Sequence, residues 1–282
     1  MPPDIYLAPS LPAAVDALDE RGEAGAPLAG GTWIMRAPLR GAAFKPAYVA
    51  LSRIAALKTI AVGEARIEIG AGATHAALAK ALDGLSGLEA LATAAGKSAN
   101  PAVRHMATVG GNLAAHDFAA ADLVPALLAL GAEVEIAGRR GEERMAIETF
   151  LHRRTALGPG RLLTKIVLPR SAARSAHARL PLRKAGDYPV AVVSLAVTLD
   201  GAGRIAIADI AVGSVEAVAR RWTSLEAALA GQALDPDTLA RLAETHSADF
   251  TGRDGVEAPG WYRVRVLPAL VRRAATLLLA AA

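Results

Sequence analysis

Two glycine pairs, Gly30-Gly31 and Gly110-Gly111, constrain this chain more than any other feature of its sequence. The first lies in Leu28-Ala-Gly-Gly-Thr-Trp33 and the second in Ala107-Thr-Val-Gly-Gly-Asn-Leu113. Adjacent glycines allow a sharp turn with positive φ and leave no Cβ between a ligand and the backbone. Their N–H groups can converge on one point, the arrangement by which a main-chain nest holds an anion. Two such turns, each with a hydroxyl residue beside it, can grip a diphosphate from two sides. Glycine pairs also close ordinary strand–helix turns, and that plainer reading stands beside the first. Neither pair is a Rossmann loop, because GxGxxG and the acidic residue about 20 positions on are absent, as is a Walker lysine. A nucleotide site here requires another architecture.

At 282 residues the chain has room for two domains, or one domain with a lobe attached. An apolar content of 53% with 21% charged residues predicts a proper core rather than long disorder. The net charge of +4 is spread over scattered arginines, which argues against nucleic-acid binding. There is no cysteine, so disulfides, cysteine nucleophiles and thiolate-held iron–sulfur clusters are excluded. The histidines show no HExxH or paired ligand spacing, and no metal site is expected. The amino terminus lacks a basic region followed by an apolar stretch, and Ala274 to Ala282 is too short to span a bilayer. A cytoplasmic protein without an integral membrane segment is the expectation.

Along the chain, Ser10 to Leu18 reads as a capped helix with proline in its first turn. Leu28-Ala29 and Ala47 to Leu51 read as short buried strands, and Ser52 to Ile60 as one or two helical turns. Ala65 to Gly70 alternates like a half-buried strand, and Thr74 caps a helix reaching Leu82. Gly87 to Ala95 is helical, and Pro101 is expected to bar further helix. Asp122 precedes a helix over Leu123 to Leu130; Ala132–Ile136 and Glu143–Ile147 flank a hairpin loop, and Arg161 to Pro169 is a strand. Ser171 to His177 has linker composition, after which three strands and then helices predict a small α+β domain.

Single residues allow two readings each. Asp122 is either a dipole partner of its helix or an acceptor for a ribose or ribityl hydroxyl. His75 and His116 lack a partner at motif spacing and read as ordinary histidines before catalytic ones. Lys184-Ala-Gly-Asp-Tyr188 is either a turn or an aromatic–Asp pair able to cover a flat cofactor.

Together these pieces resemble the flavoprotein (medium) subunit of molybdenum-containing hydroxylases, the family of carbon monoxide and bacterial xanthine dehydrogenases. The likeness is carried in register by Ala29-Gly-Gly-Thr32, Leu51-Ser-Arg-Ile54, Ile69-Gly-Ala-Gly-Ala-Thr-His75, Val103-Arg104, Thr108-Val-Gly-Gly-Asn-Leu113, Ala120-Ala-Asp-Leu123, Leu127 to Val134, Leu162 to Ile166 and Lys184 to Asp187. It implies an α+β fold: a two-lobed FAD-binding domain of the vanillyl-alcohol-oxidase (PCMH) type over 1–172, with lobes of about 1–55 and 56–172, then a small C-terminal domain over 173–282 with a three-stranded sheet and helices. It also implies FAD contacts from Ala29, Gly30, Gly31, Thr32, Trp33 and Ile34, and from Thr108, Val109, Gly110, Gly111 and Asn112. Asp122 would meet the cofactor's hydroxyls, Leu162 or Leu163 would lie by the isoalloxazine, and Asp187-Tyr188 would lie near the ring.

The chain departs from that family at three places. Trp33 stands where a small or acidic residue is usual, the 114–121 segment is one residue longer with Phe118 in place of a common proline, and His105 replaces a common asparagine. The cysteine-bearing insertion of some relatives is absent. The resemblance implies a FAD-carrying electron relay whose molybdopterin large subunit and [2Fe-2S] small subunit are separate chains, in a dimer of heterotrimers, with an external acceptor. Two rivals remain: a stand-alone flavin reductase of the same fold, such as the one making peptidoglycan's N-acetylmuramate, and a non-enzymatic nucleotide-binding assembly module.

Overall fold

The computed structural model describes residues 2–182 and 188–280. Asp187, expected near a flavin ring, lies outside the described residues. In chain order the elements are β1 (Asp4–Leu7), α1 (Leu11–Arg21), β2 (Gly25–Leu28), β3 (Ala47–Ala50), β4 (Ile60–Val62), β5 (Arg66–Gly70), α2 (His75–Ala81), α3 (Glu89–Lys97), α4 (Pro101–Met106), α5 (Val109–Ala114) and α6 (Leu123–Ala129). Then come β6 (Glu133–Gly138), β7 (Gly141–Ala146), α7 (Ile147–Arg153), β8 (Leu162–Pro169), β9 (Arg174–Pro181), β10 (Pro189–Leu199), β11 (Ile205–Gly213), β12 (Arg220–Arg221), α8 (Thr223–Leu229), α9 (Pro236–His246), α10 (Gly260–Arg265) and α11 (Leu267–Ala280). Two compact units result. One comprises Met1–Leu78, Pro101–His116 and Ala132–Leu168; the other comprises Ala79–Asn100, Asp117–Gly131 and Pro169–Ala282.

The first unit holds two sheets. In the smaller, ordered β1-β3-β2, both pairings are parallel. β1 and β2 flank β3 on its two sides; α1 carries the chain from β1 across to β2, and residues 29–46 make the crossover from β2 to its parallel neighbour β3. Ser10 starts α1 by accepting a hydrogen bond from the Ala13 amide at 3.3 Å, a cap worth about 1 kcal/mol. Val15 and Leu18 of α1 bury against Val49, Leu51 and Leu57. The larger sheet runs β4-β5-β8-β6-β7. β5 alternates as its sequence predicts, with Ile67 and Ile69 buried and Arg66 exposed. Arg139-Arg140 turns the β6–β7 hairpin.

Two expectations fail in this unit, and one helix went unanticipated. Of Ser52 to Ile60 only Ala55–Lys58 is helical, as a single 3-10 turn, and Ile60 already belongs to β4. Pro101 opens α4 instead of ending helix, because a first-turn proline lacks only an N–H that has no helical partner anyway. Helix α7 follows β7 without a break and carries no turn signal that sequence could show.

In the second unit the expected three strands form an antiparallel sheet, with the two-residue β12 added at its edge in the order β12-β11-β10-β9. Val193, Leu195 and Ile210 pack on Trp222, Leu225, Leu239, Leu270 and Leu278 of the C-terminal helical region. Helices α3 and α6 pack on the sheet as well. The expected linker Ser171 to His177 is mostly strand, since β9 starts at Arg174. Ser175, His177 and Arg179 point away from the face of Ala176 and Ala178, and each finds a polar partner. Ser175 Oγ accepts from the Ala90 amide at 3.0 Å, and His177 Nδ1 lies 2.9 Å from Ser194 Oγ. Arg179 Nε donates to Asp122 at 2.8 Å. Polar composition imitated a linker here because its hydrogen bonds are made inside the unit.

Candidate functional site

Because β2 and β3 are parallel neighbours, the chain leaves them side by side at their carboxyl ends, the usual place for ligands in such sheets. Ala29 and Gly30 follow β2, Leu51 and Ser52 follow β3, and all four line a cavity of about 130 Å³ in the first unit. Leu57 and Lys58 line it from the 3-10 turn, Gly72 and Thr74 from the β5–α2 link, and His105, Met106 and Thr108 from α4 and the cap of α5. Of the residues anticipated from sequence, Ala29, Gly30 and Thr108 are thus brought together.

The first glycine pair behaves as its sequence predicts. A Cβ on Gly30 would stand 1.8 Å from the Met106 carbonyl oxygen, so only glycine permits this approach of two backbone segments. Gly31 has φ +69°, in the left-handed region that favours glycine. The amides of Gly30, Gly31 and Thr32 have no partner among the described residues. Trp33 is held by Arg40, whose guanidinium lies 3.7 Å over the indole centroid and donates to the Trp33 carbonyl at 3.0 Å. Ile34 begins the short 3-10 turn that follows.

The second pair is not a turn, and the expected nest there is corrected. Thr108, in extended geometry, caps α5, and both glycines lie inside that helix. The Val109 amide donates to Ala73 O (2.9 Å), Gly110 to Ala71 O (2.7 Å), Gly111 to Thr108 Oγ1 (3.1 Å) and Asn112 to Thr108 O (2.9 Å). A Cβ on Gly110 would meet Ala71 Cβ at 2.7 Å, so this glycine serves close packing. The site receives the cap residue from this segment. Thr108 forms a β-bridge with Thr74, whose hydroxyl likewise accepts from an amide, that of Ala77 at 3.2 Å. A threonine oxygen that accepts from a cap amide still has its own proton to donate.

Leu162 and Leu163 are buried on β8, Leu162 within the cluster of α1 and β3. Asp122 and Tyr188 belong to the second unit. The Asp122 carboxyl is buried beside Arg179; burial pushes it up to about 7 against the pull of that guanidinium. Tyr188 meets Phe118 edge to face at 5.3 Å. His75 follows the lining residue Thr74 and is buried: its amide donates to Ala107 O, and burial lowers its imidazole to about 4 against the opposing hydrogen bond to the Thr108 backbone.

Ser52, Lys58, Thr74 and His105 are lining residues that the sequence reading did not select. Ser52 was findable, since it follows β3 as Gly30 follows β2, and Thr74 was recognised only as a cap. No carboxylate lines the cavity, whereas Gly30 with its unpaired amide, three hydroxyl residues and two basic residues do, a donor set that suits a diphosphate. Among the described residues no acidic–histidine cluster could hold a metal ion, and no helix is long and apolar enough to cross a membrane.

Residues 3–171 match the family described as FAD binding domain in molybdopterin dehydrogenase, and residues 176–278 match the CO dehydrogenase flavoprotein C-terminal domain. The chain is 30% identical over 275 residues to the 6-hydroxypseudooxynicotine dehydrogenase complex subunit alpha of Paenarthrobacter nicotinovorans, covering 96% of this chain and 92% of that protein. It is 30% identical over 275 residues to the carbon monoxide dehydrogenase medium chain of Afipia carboxidovorans, covering 96% and 94%. Among solved structures, reconstituted CO dehydrogenase from Oligotropha carboxidovorans superposes with a TM-score of 0.88 at 29% identity over the whole of both chains. The chain therefore belongs to the FAD-binding medium subunits of the molybdenum hydroxylases and is an oxidoreductase subunit with a FAD-binding domain.

Proposed function

We propose that this chain holds one FAD, with its diphosphate in the cavity at the ends of β2 and β3, and relays electrons from partner [2Fe-2S] clusters to an external acceptor. The carrying observation is a carboxylate-free cavity at the ends of β2 and β3, lined by Gly30, whose amide has no partner among the described residues, and by Ser52, Thr74 and Thr108, with Gly31 and Thr32 following in the same loop. Those amides donate to the diphosphate, and the hydroxyls of Ser52, Thr74 and Thr108 add donors from the facing segments. Bound flavin supplies one- and two-electron exchange, while the protein supplies position and polarity.

The remaining assignments follow the family resemblance. Trp33 and Ile34 continue the FAD loop, whereas Val109 to Asn112, which the resemblance gives as FAD contacts, have their amides bonded within the protein and place Thr108 instead. Asp122 meets flavin hydroxyls, Leu162 or Leu163 borders the isoalloxazine, and Tyr188 lies near it. Residues 1–172 and 173–282 act as FAD-binding and C-terminal domains. The partners are a molybdopterin large subunit and an iron–sulfur small subunit in a dimer of heterotrimers in the cytoplasm, and substrate is hydroxylated on the large subunit.

Anaerobic stopped-flow spectroscopy at the flavin band near about 450 nm tests this reading. The organic substrate of the complex is expected to bleach the flavin only when the molybdenum and iron–sulfur subunits are present. Turnover of that substrate by the isolated chain would instead establish a stand-alone flavoenzyme.

A further inference from the structure

Residues 29–46, which join β2 to β3, begin with the Gly30-Gly31-Thr32 amides and then run almost without a core. From Trp33 to Pro46 only Ala37 is buried. A connection this long is uncommon inside a compact unit, and this one is tied by its own bonds. Two successive 3-10 turns, Ile34–Arg36 and Pro38–Arg40, bring Arg40 back over Trp33. The guanidinium lies 3.7 Å over the indole centroid, and Nη1 donates to Trp33 O at 3.0 Å. The same oxygen accepts from the Arg36 amide at 3.1 Å. We propose that Arg40 is a positioning residue for FAD: by clamping Trp33 at its ring and at its carbonyl, it keeps the Gly30–Thr32 loop in its binding shape before the cofactor arrives. This rests on the diphosphate assignment made above and names the side chain that prepares that site.

One peptide plane shows how the clamp reaches the amides. Gly31 O accepts from the Met35 amide at 2.9 Å. The peptide group is planar and trans, so the Thr32 N–H points opposite to that carbonyl, and whatever secures the Met35 bond aims the Thr32 amide. Trp33 lies inside the turn which that bond closes, and Arg40 holds Trp33 at two places. A loop without such an anchor would surrender backbone freedom as it closed on a ligand, whereas here that cost is met when the chain folds. Arginine suits the task, because a planar guanidinium stacks on an aromatic face while an edge N–H donates, and an ammonium has no plane to stack. A small or acidic residue at position 33 gives no face for the guanidinium, so the tryptophan and Arg40 form one device.

The test uses the full chain stripped of flavin and mixed with FAD in a stopped-flow instrument, with association and dissociation rates read from flavin fluorescence. Arg40→Met is expected to slow association about fivefold and to leave dissociation within about twofold of wild type, because only the fraction of chains with a shaped loop falls. Arg40→Lys, which keeps the charge, is expected to slow association about threefold. Trp33→Leu should slow it as well, and adding Arg40→Met to that variant should cost less than about twofold more, the coupling of two groups that act together. Urea midpoints of the Arg40 variants should match wild type, since the side chain is exposed. An Arg40→Lys protein that associates at the wild-type rate would make Arg40 a steering charge, and faster dissociation with unchanged association would make it a direct FAD contact; either result overturns the proposal. Wild-type rates in Arg40→Met overturn it too. A wild-type chain that takes up no FAD would overturn the diphosphate assignment itself, a failure visible before any variant is compared.

Discussion

Gly30-Gly31 and Gly110-Gly111 look alike in sequence and do opposite things in the fold. At the first pair the backbone is pressed against Met106 while its amides stay unpaired. At the second every amide from Val109 to Asn112 is already bonded, and the glycine exists so that α5 can back onto Ala71. The difference comes from what precedes each pair. Leu28 ends a parallel strand whose exit has no further ladder partner, whereas Thr108 is poised as a helix cap and spends the following amides on a first turn. A glycine pair is thus a ligand cradle only where the local fold leaves its N–H groups unemployed.

That contrast predicts different losses. Gly30→Ala is expected to have the largest effect, because the new methyl would collide with a main-chain carbonyl that no rotamer change can move. Flavin per chain should drop below about a tenth of wild type, with a destabilisation of about 3 kcal/mol in urea titration. A Gly30→Ala protein that retains stoichiometric FAD would break the contrast from one side. Gly110→Ala should act on stability instead. Its methyl overlaps Ala71, costing about 2–3 kcal/mol, offset by about 1 kcal/mol of helix propensity, so about 1–2 kcal/mol is lost net. FAD affinity of the folded variant should stay within about threefold of wild type, since none of the occupied amides is available to the cofactor. If affinity collapsed while the urea midpoint held, the second pair would be a ligand after all.

The legible part of this molecule was whatever short-range chemistry decides. Ser10 and Thr74 announced their caps, Ile67 and Ile69 their strand, and Arg139-Arg140 the hairpin. The order of short motifs disclosed the family. What stayed hidden depends on distant partners. Ser175, His177 and Arg179 read as linker because Ala90, Ser194 and Asp122, which satisfy them, lie far off in sequence. Lys58 drew no reading, and His105 only as a departure from the family, because the cavity they line is closed by segments far apart in sequence. The occupied amides of the second glycine pair could not be read either, since Ala71 and Ala73 receive two of them from outside the local sequence.

His75 gives the smallest effect and sharpens the contrast further, because its amide and ring are bonded to Ala107 and Thr108, which lead into the packed pair. Its amide bonds Ala107 just before the Thr108 cap, and its ring is buried. Burial lowers the folded-state value to about 4 from an unfolded value near 6.5, so the unfolded chain takes up the proton first on acidification. The stabilisation is therefore complete above about pH 6.5 and is lost as pH falls toward about 4. Between about pH 7 and about pH 5.5 this single group should cost roughly 1 kcal/mol. Urea midpoints of wild type and His75→Asn, taken at both pH values, should differ in slope by that amount, the variant being flatter. Parallel pH profiles would show that the ring does not stay neutral in the fold.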